Sequence, residues 1–119
     1  MDDYVSVFRY KDNVGISFDV EAEKPFRVGE QMNAAYEMAY MNGYNWAALL
    51  DWYLAQREPA LLEGLEHDPE AGSYAGYYLL TPENEAKAAK VAALIRALVE
   101  NEEEACRLVR EHGDDIEWD

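Results

Sequence analysis

Near its start the chain alternates apolar and polar residues at period two. Val14, Ile16, Phe18 and Val20 interleave with Gly15, Ser17 and Asp19, the pattern of a strand with one buried face. Tyr4 to Tyr10 is rich in β-branched and aromatic residues, and Lys11-Asp12-Asn13 supplies turn chemistry between the two runs. A first hairpin is expected. The polar stretch Glu21-Ala22-Glu23-Lys24-Pro25 breaks the alternation, and Pro25 is poor strand material because it has no N–H to donate. The spacing then becomes helical. Met32, Ala35, Tyr36, Ala39 and Tyr40 form one apolar stripe, which Asn42-Gly43 is expected to end through a left-handed C-terminal residue. Asn45 is the expected cap of a second helix, with the stripe Trp46, Leu49, Leu50, Tyr53 and Leu54 and its close at Glu58-Pro59. Leu61-Leu62 fits a short helical turn ending at Gly64.

The cycle then repeats in kind, though no sequence repeat recurs at a fixed period. Leu65 to Asp68 leads into Pro69-Glu70-Ala71-Gly72, a turn with proline early and glycine late, and Tyr74 to Leu80 returns as a strand. Thr81-Pro82-Glu83 is a helix start with cap, first-position proline and acid in the first turn. Val91, Leu94, Ile95, Leu98 and Val99 continue that helix. Asn101 with Glu102, Glu103 and Glu104 opens a last short helix, and Gly113 follows its end. The predicted order is ββααββαα. Hairpins favour an antiparallel sheet with helices packed on one face, so the expected fold is a two-layer α+β domain. No linker is long enough to divide it: residues 1–119 read as one domain, with the acidic tail 114–119 expected to be mobile.

Composition narrows the class. A chain of 119 residues with 50% hydrophobic residues can bury roughly two-thirds of its unfolded surface in one core. No apolar run approaches the ~20 residues that span a bilayer, and the acidic start Met1-Asp2-Asp3 is unlike a secretory leader. The single cysteine, Cys106, cannot form an internal disulfide. Cytoplasmic residence is the expectation. Twenty-five acids against ten Lys and Arg give a formal charge of −15. Such a surface repels phosphate backbones and anionic membranes, and attracts cations or a basic partner. Charge of this kind also keeps small proteins dispersed, so on its own it does not choose.

Candidate chemistry is sparse. His67 and His112 share no metal-ligand spacing with Cys106, and Cys106 lies at a filler position between Ala105 and Leu108 of a helix. No glycine-rich phosphate loop is present. Carboxylate pairs of the glycosidase type are to be expected by chance among so many acids. Asp68-Pro69-Glu70-Ala71-Gly72 begins like a calcium loop but lacks the further oxygen ligands and closing glutamate, which leaves a rigid turn. Glu100 to Glu104 suits the positive end of a helix dipole. No catalytic residue, metal or cofactor is therefore expected. Trp46, Tyr53 and Tyr36 fall at packing positions, whereas Tyr77 can lie on the sheet face opposite Tyr74 and Tyr78. An aromatic ringed by carboxylates has the composition of a hot spot for a basic protein.

Two blocks carry a family resemblance: Gly43-Tyr44-Asn45-Trp46 with Leu49-Leu50 and Tyr53-Leu54, then Pro59 to Leu65 with Asp68-Pro69-Glu70-Ala71-Gly72. Together they resemble the central signature of immunity-protein family fifty-one of bacterial polymorphic-toxin and contact-dependent inhibition systems. The likeness runs from Gly29 to Gly113, and His67 stands where an aromatic or aliphatic residue is expected. The resemblance implies a cytoplasmic inhibitor that binds the toxin domain of its own system, commonly a nuclease. An acidic protein is steered to the basic cleft of such a nuclease and can occlude it. Two other readings stay open: an acidic adaptor for another basic protein, and a small carboxylate-based enzyme or metal-binding domain.

For partner binding the first expected site is the second hairpin, Glu66, Asp68 and Glu70 with Tyr77 as aromatic anchor. Glu66 and Asp68 should share a face, and Pro69 and Gly72 stiffen the turn that carries Glu70. The competing site is Glu102, Glu103 and Glu104 with Asp114, Asp115 and Glu117, denser in charge but placed on a tail expected to fray.

Overall fold

The computed structural model describes residues 3–119; Met1 and Asp2, at the acidic start of the chain, lie outside them. Strands β1 (Val5–Tyr10), β2 (Asn13–Asp19), β3 (Glu66–His67) and β4 (Ser73–Leu79) form one antiparallel sheet in the order β1-β2-β4-β3. Helices α1 (Glu23–Ala35), α2 (Gly43–Arg57), α3 (Pro82–Glu100) and α4 (Glu102–His112) complete the ββααββαα order. The fold is α+β, as the periodicities predict. Alternation in the strands sets the layers. Val14, Ile16 and Phe18 pair with Tyr78, Gly76 and Tyr74, and all six are buried on the inner face. Helices α2 and α3 pack on that face, and α4 packs on α1 and α3. A continuous cluster of buried residues runs from Tyr4 to Ile116.

Local chemistry accounts for most boundaries. Thr81 Oγ1 accepts the Asn84 N–H at 3.0 Å and Pro82 occupies the first turn of α3, where a missing N–H costs nothing. Asn101 Oδ1 likewise accepts the Glu104 N–H at 3.3 Å and opens α4.

The first helix differs from its expected position. It begins at Glu23 and carries Pro25 inside its first turn, where proline is tolerated for the same reason. Its buried stripe is Pro25, Val28, Gly29 and Met32, and it stops at Tyr36, whose backbone is extended. The Tyr36 phenol donates to Asp114 Oδ1 at 2.7 Å, and its ring lies 6.1 Å from that of Trp118. This tertiary contact draws Tyr36 out of the helix, so Tyr36, Ala39 and Tyr40 belong to a loop. Asn42-Gly43 then opens α2 instead of closing α1. Asn42 Oδ1 accepts the Asn45 N–H at 2.9 Å and is the cap. Asn45 is buried, donating to the Tyr40 carbonyl at 2.8 Å and accepting the Asp119 N–H at 2.7 Å.

The tail, expected to be mobile, packs on the body of the protein. Ile116 is buried, and the Trp118 indole N–H donates to the Gly113 carbonyl at 2.9 Å. Gly113 sits under the Tyr36 ring, where an added Cβ would lie 2.7 Å from a ring carbon.

The buried tyrosines of β4 impose a pH limit. Tyr78 donates to the Leu61 carbonyl, and burial pushes its phenol up to about 12; burial also raises Tyr74. Above the ordinary value of 10.0 the unfolded chain releases protons that the native chain keeps. Stability is therefore full below that value and falls as the pH rises towards the folded values. At about pH 11 the loss for the pair is on the order of 1–2 kcal/mol, allowing for solvent screening at Tyr78. Urea midpoints at about pH 8 and 11 measure it, and equal midpoints would show that both phenols ionise freely in the native state.

Candidate functional site

Among the described residues no helix packs on the outer face of the sheet, and strand register determines what that face displays. Phe8, Gly15, Tyr77 and Glu66 align in one row across all four strands. The next row is Ser6, Ser17, Ala75 and Asp68, since Asp68 and Ala75 exchange backbone hydrogen bonds at 2.7 and 3.3 Å. In the third row Asp19 pairs with Ser73, which bridges Glu70. Glu66, Asp68 and Glu70 thus form a column of exposed acids along one edge of a surface of small residues. An aromatic ridge bounds it. Phe8 meets Tyr77 edge-on at 5.7 Å and 87°, a favourable geometry for two rings. The ridge depends on Gly15, where an added Cβ would fall 2.6 Å from the Phe8 ring.

Tyr77 lies opposite Tyr74 and Tyr78, on the acidic face. Its hydroxyl donates to Asp68 Oδ2 at 3.4 Å. Burial, followed by the charges of Asp68 and Glu70, raises the phenol above its ordinary value, so it stays a neutral donor. Among the described residues no Lys or Arg pairs with Glu66, Asp68 or Glu70. The fold leaves those three charges uncompensated.

The competing acids are not brought to this face. Glu102, Glu103 and Glu104 fill the first turn of α4, on the helical side of the molecule, where they complement the helix dipole. Glu104 is already engaged: Arg107 bonds it at 2.6 Å and holds its carboxyl below the usual range. Asp114 accepts from Tyr36, and the Asp115 carboxylate lies 3.8 Å from His112 Nδ1. Glu117 is exposed.

Other chemistry is accounted for by packing. Burial pushes the Cys106 thiol up, with Glu102 adding to it, which opposes nucleophilic character. Among the described residues no cluster of three His, Cys, Asp or Glu could hold a metal ion, and no helix is long and apolar enough to cross a membrane. His67, the residue out of pattern, is structural. Its Nδ1 meets the Tyr74 hydroxyl at 2.6 Å and its Nε2 meets Asp51 Oδ1 at 3.2 Å, tying β3 and β4 to α2. Sequence reasoning missed Phe8 and Gly15 as members of the outer face. Their alternation with Val7 and Ile16 signals the face, whereas the β2–β4 pairing that joins them to Tyr77 has no local signal.

A family model described as Imm51, Immunity protein 51, matches residues 7–113. No curated protein and no solved structure matches the chain.

Proposed function

The chain belongs to the immunity protein 51 family, and from that premise we propose that it neutralises the toxin domain of its own system by binding it. The toxin is a nuclease with a basic cleft, and the acidic outer face of the sheet covers that cleft in the cytoplasm of the producing cell. The observation that supports this most is the column Glu66, Asp68 and Glu70 beside Tyr77, on a sheet face where, among the described residues, no helix packs and no Lys or Arg pairs with these acids. A cleft built to grip phosphates carries the opposite charge, and complementary potentials steer encounter. A rigid hairpin also loses little freedom on docking. The role is stoichiometric inhibition, with no catalytic residue.

Co-expression with the toxin domain encoded beside its gene should restore growth, and the purified pair should associate in a strongly salt-dependent way. Exposed charges are screened within roughly 8 Å at physiological ionic strength, so the association rate should fall by about tenfold or more from low to high salt. Absence of protection would overturn the immunity reading. A flat salt profile with intact protection would show that the acidic face is incidental to recognition.

A further inference from the structure

Helix α2 is apolar on two opposite sides. Trp46, Leu49, Leu50, Tyr53 and Leu54 enter the core, whereas Tyr44, Ala48, Trp52 and Ala55 recur at helical spacing on the far side. An apolar stripe on a helix needs a cover, and this second one is only partly covered. Residues 115–119 run along it in alternation: Ile116 and Trp118 turn inward, while Asp115, Glu117 and Asp119 stay exposed. The result is a groove of about 610 Å³ between α2 and the C-terminal segment. Its walls are Tyr44, Trp52 and Trp118; Asp51, Asp115, Glu117 and Asp119 line it together with His67, and no Lys or Arg does.

We propose that this groove is a second docking slot, which takes an arginine side chain from a loop of the same toxin domain. The proposal rests on the toxin-neutralising reading above. Planar guanidinium suits the slot better than ammonium, because it stacks on aromatic rings and bonds carboxylates through a fixed fork. The slot is preorganised. Asn45 holds the Asp119 backbone and Gly113 holds the Trp118 indole, so the acid-bearing segment is already ordered. Asp51 is oriented by His67 at 3.2 Å, and Trp52 lies against the His112 ring at 4.9 Å. The slot is distinct from the outer sheet face, which lies across the sheet from α2.

The test uses the full chain, labelled with ¹⁵N and titrated with the peptide acetyl-Gly-Arg-Gly-Arg-amide. The indole N–H signals of Trp52 and Trp118 should shift saturably at millimolar peptide while that of buried Trp46 stays still. The lysine counterpart should bind more weakly, and the double variant Glu117→Gln, Asp119→Asn, which changes only exposed carboxylates that line the slot, should abolish the shift. The same variant should bind the toxin domain about tenfold less tightly, with an unchanged melt. No saturable shift, a shift that persists in the double variant, or toxin binding equal to wild type would overturn the slot while leaving the immunity reading intact. Failure of the wild-type chain itself to bind the toxin would overturn that reading, and with it the toxin as occupant.

Discussion

Replacing Gly43 with alanine is expected to destabilise the protein by about 3 kcal/mol and to lower its melting temperature by roughly 10 °C or more. Gly43 is the first residue of α2, and the turn of the second hairpin rests directly on it. An added Cβ would lie 1.8 Å from the Glu70 carbonyl oxygen and 2.1 Å from that of Ser73. Both are backbone atoms, so no side-chain rotation relieves the overlap. The Gly43 N–H also donates to the Ala71 carbonyl at 3.0 Å, a bond the displaced hairpin would lose. Helix propensity works the other way, favouring alanine by no more than about 1 kcal/mol, and the clash outweighs it. Gly64→Ala is the comparison. Its φ of 80° is strained for alanine, but the nearest atom to an added Cβ is 3.9 Å away, so its cost should stay near 1–2 kcal/mol. Denaturant midpoints measure both. A Gly43→Ala protein as stable as wild type would mean that helix and hairpin are not held in this contact.

The same contact marks the boundary of what the sequence discloses. Helices α2 and α3 and both hairpins are legible because each rests on local rules: a 3.6-residue stripe, a capping side chain, a proline-glycine turn. The first helix is not, because its limits are set by distant residues. Pro25 reads as a breaker until it is seen in a first turn, and Tyr36 leaves the helix for Asp114, 78 positions away. Asn45, the expected cap, is held at the Tyr40 carbonyl and the Asp119 N–H, and Asn42, expected to end the first helix, caps α2 in its place.

The candidate site divides in the same way. Alternation alone puts Glu66 and Asp68 on one face. The row that adds Phe8 and Gly15 requires β2 beside β4, a pairing between strands separated by two helices. The tail is legible in part: Ile116 and Trp118 alternate with acids, a pattern that the density of charge around them masks. The outward stripe of α2 was legible too, hidden by the stronger stripe facing the core.

Reversing the hairpin charges, Glu66→Lys with Asp68→Lys and Glu70→Lys, should sharply weaken toxin binding and leave the fold standing. None of the three carboxylates pairs with a Lys or Arg among the described residues, and the Asp68 contact to Tyr77 is long at 3.4 Å. Exposed substitutions of this kind change stability by about 0.5 kcal/mol each at most. In a chain of formal charge −15, adding positive charge also relieves self-repulsion. Binding has no such compensation. Against the basic cleft proposed above, each reversal would turn an attraction into a repulsion, so the association rate at low salt should drop by about tenfold or more, and affinity should drop further where a pair becomes buried. The neutral set Glu66→Gln, Asp68→Asn, Glu70→Gln should fall between wild type and the reversed protein. Tyr77→Phe keeps the packing on Phe8 and isolates the hydroxyl, and its effect should appear in the dissociation rate. Reversal of Glu102 and Glu103 on α4 serves as the matched control, equal in kind but on the helical side of the molecule. Were that control to abolish protection while the hairpin reversals did nothing, the inhibitory surface would be the first turn of α4 and the open sheet face would have no part in recognition.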